Sequence, residues 1–230
     1  MIASGEPAVG GSVGRPRLGL PRLYAILDAE SLGGRPLESV CDTLLDAGVR
    51  LFQYRDKQGS SRKIFDVAAS LAPMIHAAGG RLIVNDRADV ALVAGADGVH
   101  LGQDDLPVEH ARRVLKPGQW IGFSTHNLDQ LRAADNSSAD YLAFGPIFAT
   151  STKDRPDPVV GLDGLAQARA ATSKALVAIG GITVENARQV IERGADAVAV
   201  IAGLLSAPDL SARVGEFLTA LGEQHGNDRA

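Results

Sequence analysis

The chain has 230 residues, of which 45% are hydrophobic and 22% are charged, and its formal net charge at pH 7 is −4. This length and composition favour one globular domain of the α/β class, or at most two small ones. The negative charge and the absence of a lysine and arginine run argue against nucleic acid as a partner. No apolar stretch reaches the roughly 18 residues of a membrane span. A single cysteine, Cys41, excludes a disulfide framework, so a reducing cytoplasm is the expected compartment.

From residue 23 onward, short apolar runs alternate with segments of helical periodicity. The runs that predict strands are Leu23–Leu27, Arg50–Tyr54, Arg81–Val84, Gly98–Leu101, Trp120–Phe123, Tyr141–Phe144, Ala175–Ile179 and Ala197–Ile201. The helical patterns include Leu37–Ala47, Ser61–Ala78, Val108–Leu115, Leu128–Ala134, Leu162–Thr172 and Val184–Arg193. Nearly unbroken apolar runs are typical of parallel strands buried on both faces. Eight such units predict a closed (β/α)8 TIM barrel, a single-domain α/β fold.

An open doubly wound sheet is the alternative architecture. That fold usually has a glycine-rich fingerprint after its first strand, and Asp28-Ala29-Glu30-Ser31 is not one. We therefore expect a barrel over residues 21–222, with residues 1–20 as a flexible N-terminal extension and residues 223–230 as a flexible tail. The first twenty residues lack the apolar centre of a signal peptide. A homodimer is compatible with the sequence, which does not show the oligomeric state.

The carboxyl ends of barrel strands build the active site, so the polar residues there are the candidates for function. The second strand ends in Gln53-Tyr54-Arg55-Asp56-Lys57. Gln53, Arg55 and Lys57 occupy alternate positions and point to one side if the chain stays extended. A guanidinium fork and an ammonium group suit phosphate oxygens. The alternative is a charged loop that pairs with itself through Asp56.

The third and fourth strands end in acidic residues. Asn85-Asp86-Arg87 follows one, and Gly102-Gln103-Asp104-Asp105 follows the other. Carboxylates from neighbouring strand ends could form a salt-bridge network, but they also suit Mg²⁺, which takes a few carboxylates, water and substrate phosphate oxygens. We favour Asp86 and Asp105 as the metal ligands. Asp104 competes with Asp105, but it follows the strand at once and is a candidate for a helix cap or an outward position.

Two further strand ends carry hydroxyl groups. The fifth strand is followed by Ser124 and His126, and the histidine is either a proton shuttle or a hydrogen-bonded structural residue. The sixth is followed by residues 145–153, which contain Thr150, Ser151, Thr152 and Lys153. Hydroxyl groups and an ammonium group are the donors that a phosphate needs. On its own, this segment is as compatible with a solvated surface loop as with an anion site.

Glycines mark the last two strand ends. Gly180-Gly181 follows the seventh strand, and Ile201-Ala202-Gly203 ends the eighth. The loops after these two strands often form a phosphate site in barrels, and glycine lets the backbone approach the anion. The barrel end thus has a cationic, metal-binding region suited to pyrophosphate and a neutral region suited to a phosphate monoester. Two phosphorylated small molecules are the expected substrates.

Taken in order, these motifs closely resemble the thiamine phosphate synthase family, from Leu23 to the region of Leu205. The motifs that carry the resemblance are Gln53-Tyr54-Arg55-Asp56-Lys57, Asn85-Asp86-Arg87, Gly98-Val99-His100-Leu101-Gly102-Gln103-Asp104-Asp105, Gly145-Pro146 with Thr150-Ser151-Thr152-Lys153, and Ile179-Gly180-Gly181-Ile182. The resemblance implies a transferase of the (β/α)8 fold. With Mg²⁺, this family joins hydroxymethylpyrimidine diphosphate to thiazole phosphate, which gives thiamine phosphate and pyrophosphate.

The resemblance also implies roles for individual residues. The pyrimidine diphosphate would be held by the strand-2 motif, Tyr54 and Asp56 included, together with Asn85 and Ser124. Mg²⁺ would be held by Asp86 and Asp105. The surroundings of the thiazole phosphate and the leaving pyrophosphate would be formed by Thr150, Ser151, Thr152 and Lys153. The thiazole phosphate itself would be held through the backbone amides of Gly181, Ile201 and Ala202. The catalytic cations would be Arg55, Lys57 and Lys153.

Two positions depart from the family pattern. The family often has proline at the position of Ala149, which predicts a less rigid loop, and serine at that of Ala202, which predicts one lost phosphate contact.

Three other functions compete with the synthase. A thiazole tautomerase of the same fold would have no reason to keep the strand-2 cations together with Asp86 and Asp105. A sugar-phosphate epimerase would need histidines at strand ends, and a non-catalytic binding protein would not need the metal and cation set.

Overall fold

The computed structural model describes residues 17–150 and 157–223. Its strands are β1 Leu23–Asp28, β2 Leu51–Arg55, β3 Arg81–Asn85, β4 Gly98–Leu101, β5 Trp120–Thr125, β6 Tyr141–Phe144, β7 Ala175–Ile179 and β8 Ala197–Val200. Its helices are α1 Leu37–Asp46, α2 Ser61–Ala77, α3 Ala88–Val93, α4 Val108–Val114, α5 Leu128–Asp135, α6 Gly161–Ala171, α7 Val184–Glu192, α8 Ala202–Leu205 and α9 Leu210–Ala220. Each strand and helix predicted from the sequence is present, with its ends shifted by at most two residues.

The eight strands form a closed barrel in sequence order, in which β8 returns to pair with β1. All eight pairings are parallel, so the carboxyl ends of the strands lie at one end of the barrel. The predicted TIM barrel is confirmed, and the alternative of an open sheet is excluded. Each of the eight described strands therefore has a neighbour on both sides.

Alternate strand residues point to opposite sides of the barrel wall. Residues that point outward, such as Phe52 and Phe144, are buried beneath the helices. Residues that point inward form a second core, in which Tyr24 and Tyr141 are the largest side chains and Ala143, Ala175 and others are small. The barrel interior is therefore packed, and only its carboxyl end is left open for a site.

The amino end of the barrel is covered by the chain that precedes β1. Leu18 and Leu20 pack against the inner core. Arg17 donates to the Ser173 carbonyl oxygen at 3.2 Å and to Asp196 at 3.1 Å, ahead of β7 and β8. Residues 17–20, assigned to the extension from sequence, are thus part of the packed structure. The rest of that extension and the tail from residue 224 lie outside the described residues.

Polar side chains fix the starts of several helices. The hydroxyl of Ser60 accepts from the Lys63 amide at the start of α2, and the Asn127 side chain accepts from the Gln130 amide at the start of α5. Such caps satisfy amides that the first helical turn leaves unpaired. None of the helices in the described part of the chain is long and apolar enough to cross a bilayer.

Candidate active site

A cavity of about 560 Å³ opens at the carboxyl end of the barrel, and every strand contributes to its wall. The predicted site residues that line it are Gln53, Arg55, Lys57, Asn85, Asp86, Asp105, Ser124, Thr150, Gly181, Ile201 and Ala202. Asp104 also lines the cavity, as an exposed side chain at its rim. Residues that are up to 149 positions apart in sequence thus share one pocket, at the end of the barrel where the strand pattern predicts it.

Two members of the strand-2 motif point away from the cavity. Tyr54 is buried in the core between the barrel wall and the helices. The Asp56 carboxylate accepts from the Gln58 and Gly59 amides at 3.1 and 2.7 Å, which closes the turn ahead of α2. Alternation along the strand explains this placement, since neighbours of inward-facing residues must face outward. The geometry gives Tyr54 and Asp56 a structural role and brings neither into contact with the pocket.

The segment between β6 and α6 borders the cavity on both sides of the gap in the described residues. Thr150 lines the pocket before the gap, and Asp157 lines it afterwards. The predicted contacts of Ser151, Thr152 and Lys153 lie outside the described residues. The start of the segment is fixed to β7, because the amides of Ile147 and Phe148 donate to the carbonyl oxygens of Ile179 and Gly180 at 2.9 and 3.0 Å.

The guanidinium group of Arg55 is held in place by Asp28, a residue that the sequence analysis did not assign to the site. Arg55 donates through Nη1 to Asp28 Oδ1, and the hydroxyl of Ser31 donates to Asp28 Oδ2 at 2.6 Å. Asp28 is only 2% exposed. The one sequence feature that could have assigned Asp28 to the site is its position as an acidic residue at the end of the first strand. A buried carboxylate with two donors fixes the direction of the cation at the cavity wall.

Asp86 and Asp105 lie together, with the ammonium group of Lys57 beside them. Lys57 forms a salt bridge with Asp86, and the Asp105 carboxyl group lies close enough to Asp86 to affect its pKa. Burial and the Asp105 carboxyl raise the pKa of Asp86 above its ordinary value, although Lys57 opposes the shift. Asp105 Oδ2 also accepts from the Gly102 amide at 2.7 Å. Two carboxyl groups this close repel when both are ionised, so the pair favours a shared proton or a bound cation.

Asp86 has an unusual backbone conformation. Its φ is +63°, the only positive value at a non-glycine position among the described residues. Aspartate and asparagine enter this left-handed region more readily than other side chains, at some cost in energy. The hydrogen bond from the Asp86 amide to the His100 carbonyl oxygen, 2.7 Å long, holds this turn against β4. Local strain at a carboxylate that faces a pocket is a common property of functional sites.

The glycine pair after β7 has backbone angles that favour glycine. The φ values of Gly180 and Gly181 are +99° and +63°. A Cβ atom at Gly181 would lie 2.5 Å from the Ala149 carbonyl oxygen, which is too close for any side chain. This pair lies beside Ile201 and Ala202, at the start of α8, along the cavity wall. Exposed amides at such a turn and at a helix start can bind an anion.

A chain of buried hydrogen bonds crosses the cavity floor. The Gln53 amide nitrogen donates to the Tyr24 hydroxyl at 2.9 Å, and Tyr24 and Tyr141 hydroxyls are 3.0 Å apart. His100 Nδ1 lies 3.1 Å from the Tyr141 hydroxyl, and His100 Nε2 lies 2.9 Å from the Ser124 hydroxyl. The chain therefore connects two predicted substrate contacts, Gln53 and Ser124, through three residues that the sequence analysis did not assign.

His126 joins the end of β5 to the segment after β6. Its Nδ1 lies 2.8 Å from the Gly145 carbonyl oxygen and 3.5 Å from Asp157 Oδ2. A carbonyl oxygen accepts only, so Nδ1 carries a hydrogen in this contact. His126 also lines the cavity. His126 thus makes a structural contact between the two segments with Nδ1.

The sequence matches the family model described as thiamine monophosphate synthase over residues 23–204, which contain all eight strands. The chain belongs to this family. A thiamine-phosphate synthase of Koribacter versatilis is 54% identical over 212 residues, which make up 89% of this chain and 97% of the relative. One of Chloroflexus aurantiacus is 44% identical over 191 residues, with 83% of this chain and 88% of the relative covered.

A solved structure agrees with this family assignment. Thiamine phosphate pyrophosphorylase from Pyrococcus furiosus has a TM-score of 0.80 and 33% sequence identity, and the match covers 87% of this chain and 95% of that one. The relatives are transferases, and the residues that the family model matches include all eight strands of the barrel. The resemblance that the ordered motifs predicted is confirmed at the level of the family.

Proposed function

We propose that this protein joins 4-amino-2-methyl-5-hydroxymethylpyrimidine diphosphate to 4-methyl-5-(2-phosphoethyl)thiazole and releases thiamine phosphate and pyrophosphate. The observation that carries the proposal is that one cavity is lined both by cations beside a carboxyl pair and by a glycine turn beside a helix start. The first region suits a diphosphate and the second suits a phosphate monoester. A pocket of about 560 Å³ falls within the range of small-molecule sites.

The carboxyl pair fits a divalent cation. The carboxyl groups of Asp86 and Asp105 lie close enough to interact, and the described residues contain no group of three or more His, Cys, Asp or Glu side chains placed to hold a metal unaided. Mg²⁺ usually takes one or two carboxylates and completes its shell with water and substrate phosphate oxygens. We therefore assign Mg²⁺ to Asp86 and Asp105. When bound, Mg²⁺ would neutralise charge on the diphosphate.

The proposed reaction is a dissociative substitution. The bond between the pyrimidine methylene carbon and the diphosphate oxygen breaks, and its electron pair leaves with pyrophosphate. The thiazole nitrogen then gives its lone pair to the cationic methylene carbon. That nitrogen carries no proton, so the bond-forming step needs no general base. Arg55, Lys57 and Lys153 stabilise the charge of the leaving group, which is the main catalytic task.

Among the competing functions, the tautomerase is the nearest. It would act on the thiazole phosphate alone and would leave the cationic half of the cavity without a role. The structure instead fixes that half in detail, since Arg55 is held by Asp28 and Lys57 is paired with Asp86. An arrangement that positions two cations and a carboxyl pair is explained by a diphosphate substrate.

The deciding experiment mixes the purified protein with both substrates and Mg²⁺ and follows pyrophosphate release and thiamine phosphate formation. We expect both products in equal amounts, and neither when one substrate is left out. Isomerisation of a thiazole phosphate without pyrophosphate release would support the tautomerase instead. Binding of either substrate without turnover would support the non-catalytic binding protein.

A further inference from the structure

The hydrogen-bond chain on the cavity floor has a direction. Gln53 donates its amide nitrogen to the Tyr24 hydroxyl, so the Tyr24 oxygen is the acceptor there. Tyr24 lies in the packed barrel interior, where its own hydrogen needs an acceptor. The Tyr141 hydroxyl, 3.0 Å away, is the one that the structure offers. Tyr24 therefore donates to Tyr141.

The same reasoning continues to the far end of the chain. Tyr141 accepts from Tyr24, so its own hydrogen goes to His100 Nδ1, 3.1 Å away. A neutral imidazole that accepts at Nδ1 carries its hydrogen on Nε2. That Nε2–H group donates to the Ser124 hydroxyl at 2.9 Å. Ser124 is then an acceptor toward His100, and its own hydrogen is free to point into the cavity.

Burial preserves this order of donors and acceptors. Desolvation raises the pKa of Tyr24 and of Tyr141 far above the ordinary tyrosine value, so both hydroxyls keep their hydrogens. The rings are also closely packed. A Cβ atom at Gly122 would lie 2.1 Å from Tyr141 Cζ and 2.4 Å from His100 Nδ1, so glycine is needed for these rings to lie where they do. The hydrogen-bond chain is therefore a fixed part of the barrel interior.

We propose that Tyr24, Tyr141 and His100 are positioning residues that set the hydrogen-bond polarity of the cavity floor. Gln53 then presents its carbonyl oxygen to the substrate as an acceptor, and Ser124 presents its hydroxyl as a donor. This inference rests on the proposed function, because it names the part of the pyrimidine that the floor selects. An aromatic ring with an amino group beside a ring nitrogen offers a donor to Gln53 and an acceptor to Ser124.

The fixed polarity would exclude the oxo form of the same ring. In that analogue a carbonyl replaces the amino group and the adjacent ring nitrogen carries a hydrogen. At Gln53 an acceptor then faces an acceptor, and at Ser124 the hydroxyl loses the ring nitrogen as its acceptor and must turn its hydrogen away from the ring. A site built around buried hydrogen bonds of one polarity rejects such an analogue strongly, by about 10⁴-fold in favourable cases. The three positioning residues would thus determine specificity without contact with the reacting atoms.

A direct test reads the tautomer of His100 in the free, full-length protein. Protein labelled with ¹⁵N-histidine is studied at pH 8 by long-range proton–nitrogen NMR, and the His100 signals are identified by their loss in His100→Asn. We expect a neutral ring with hydrogen on Nε2. Hydrogen on Nδ1, or a doubly protonated ring, would overturn the proposal. This readout needs no substrate, so it remains valid even if the protein proves not to be a synthase.

A second test measures selectivity between the amino and oxo pyrimidine diphosphates through kcat/KM for pyrophosphate release. Tyr141→Phe removes the link to His100, and we expect a mixture of His100 tautomers and a loss of selectivity of about tenfold. Tyr24→Phe frees the Gln53 amide to rotate and removes the donor that fixes the direction of the Tyr141 hydroxyl, so selectivity should fall here too. It replaces the first variant if that one does not fold.

The matched control is Thr125→Val. Thr125 is buried on β5 beside Ser124. Its hydroxyl donates to the Ala143 carbonyl oxygen at 2.9 Å and is not part of the hydrogen-bond chain on the cavity floor. This variant also loses one buried hydroxyl, so it should lose comparable stability and keep wild-type selectivity. Equal loss of selectivity in Thr125→Val, or unchanged selectivity in the folded tyrosine variants, would overturn the proposal. If neither the wild type nor any variant releases pyrophosphate, the proposed synthase function is wrong. The NMR measurement of the His100 tautomer then tests the hydrogen-bond polarity of the cavity floor on its own.

Discussion

The carboxylate of Asp28, at the end of β1, holds the guanidinium group of Arg55, at the end of β2, and the two residues face each other in the register of the barrel. The closed sheet itself therefore supplies the partner that directs a cation into the cavity. Because Asp28 is buried and also accepts from Ser31, it has little freedom to move with Arg55. The arrangement holds a cation at the cavity wall on rigid elements, as the proposed stabilisation of a leaving diphosphate requires.

Loss of the Asp28 carboxylate should lower the catalytic efficiency of the enzyme toward the pyrimidine diphosphate. In Asp28→Asn, Arg55 loses its charged partner and its fixed direction, so kcat/KM for that substrate should fall by about 10- to 100-fold, as expected for a misplaced binding group. Steady-state kinetics with each substrate varied in turn checks this. The control is Asp66→Asn, which removes a surface ion pair between Asp66 and Arg62 on α2. A similar loss in both variants would mean that Asp28 has no specific role in orienting Arg55.

The metal assignment separates two neighbouring carboxylates. Asp105→Asn should raise the Mg²⁺ concentration for half-maximal activity by at least about tenfold, because it removes one of the two proposed ligands. Asp104→Asn changes the same charge on an exposed residue at the rim of the cavity and should have a much smaller effect. Magnesium titrations of activity provide the measurement. If Asp104→Asn shifts the titration more than Asp105→Asn, the assignment of the two residues must be exchanged.

The raised pKa of Asp86 predicts how stability depends on pH when no metal is present. The folded protein binds the Asp86 proton more tightly than the unfolded chain does. Its contribution to the free energy of unfolding is therefore fully present below the ordinary aspartate pKa of about 3.9 and is lost as the pH rises through the higher folded value. Asp86→Asn should remove this decline, and asparagine tolerates the positive φ.

Urea unfolding with a chelator present, at a series of pH values from 3.5 to 7, would measure the effect as the difference between wild type and Asp86→Asn. We expect the variant to gain stability relative to wild type as the pH rises. Asp66→Asn serves again as the surface control and should follow the wild-type profile. A variant that instead loses relative stability with rising pH would show that Lys57 outweighs burial and Asp105 at this carboxylate.

Lys153 lies outside the described residues, so its role is predicted from sequence. Lys153→Ala should lower turnover by about 100-fold or more, which is typical of removing one donor that stabilises developing charge. Lys116→Ala is a suitable control, since Lys116 is exposed and precedes the amino end of β5, away from the cavity. Steady-state turnover at saturating substrates is the measurement. Turnover close to that of wild type would exclude Lys153 from the chemistry.

The sequence was sufficient to place the strands because a buried parallel strand needs a nearly continuous apolar run. The same rule located the polar residues that follow each strand, and alternation correctly separated Arg55 and Lys57, which line the cavity, from Tyr54 and Asp56, which do not. The motif as a whole nevertheless led to the inclusion of Tyr54 and Asp56. A linear motif predicts where a site lies, but it does not show which of its side chains line the site and which stabilise the adjoining turn.

The floor of the cavity could not be read from the sequence. Tyr24, His100 and Tyr141 lie within apolar runs, where each polar atom could equally have faced the helices. Only closure of the barrel brings these side chains together, and their hydrogen-bond partners come from five different strands. Asp28 was missed for a similar reason, since its role depends on its register with Arg55. Side-chain contacts between strands that are distant in sequence cannot be predicted from the pattern of a single amino-acid sequence.

The backbone contacts of Ile147 and Phe148 with β7 have a consequence for the cost of binding. Those two residues lose their conformational freedom when the barrel folds, and the loss is part of the folding free energy. A substrate that binds beside Thr150 therefore need not supply the entropy of ordering these two residues. Ala149, where the resemblance to the family predicts proline, follows directly after these two residues. Anchoring by two hydrogen bonds can thus replace part of the rigidity that a proline ring would give.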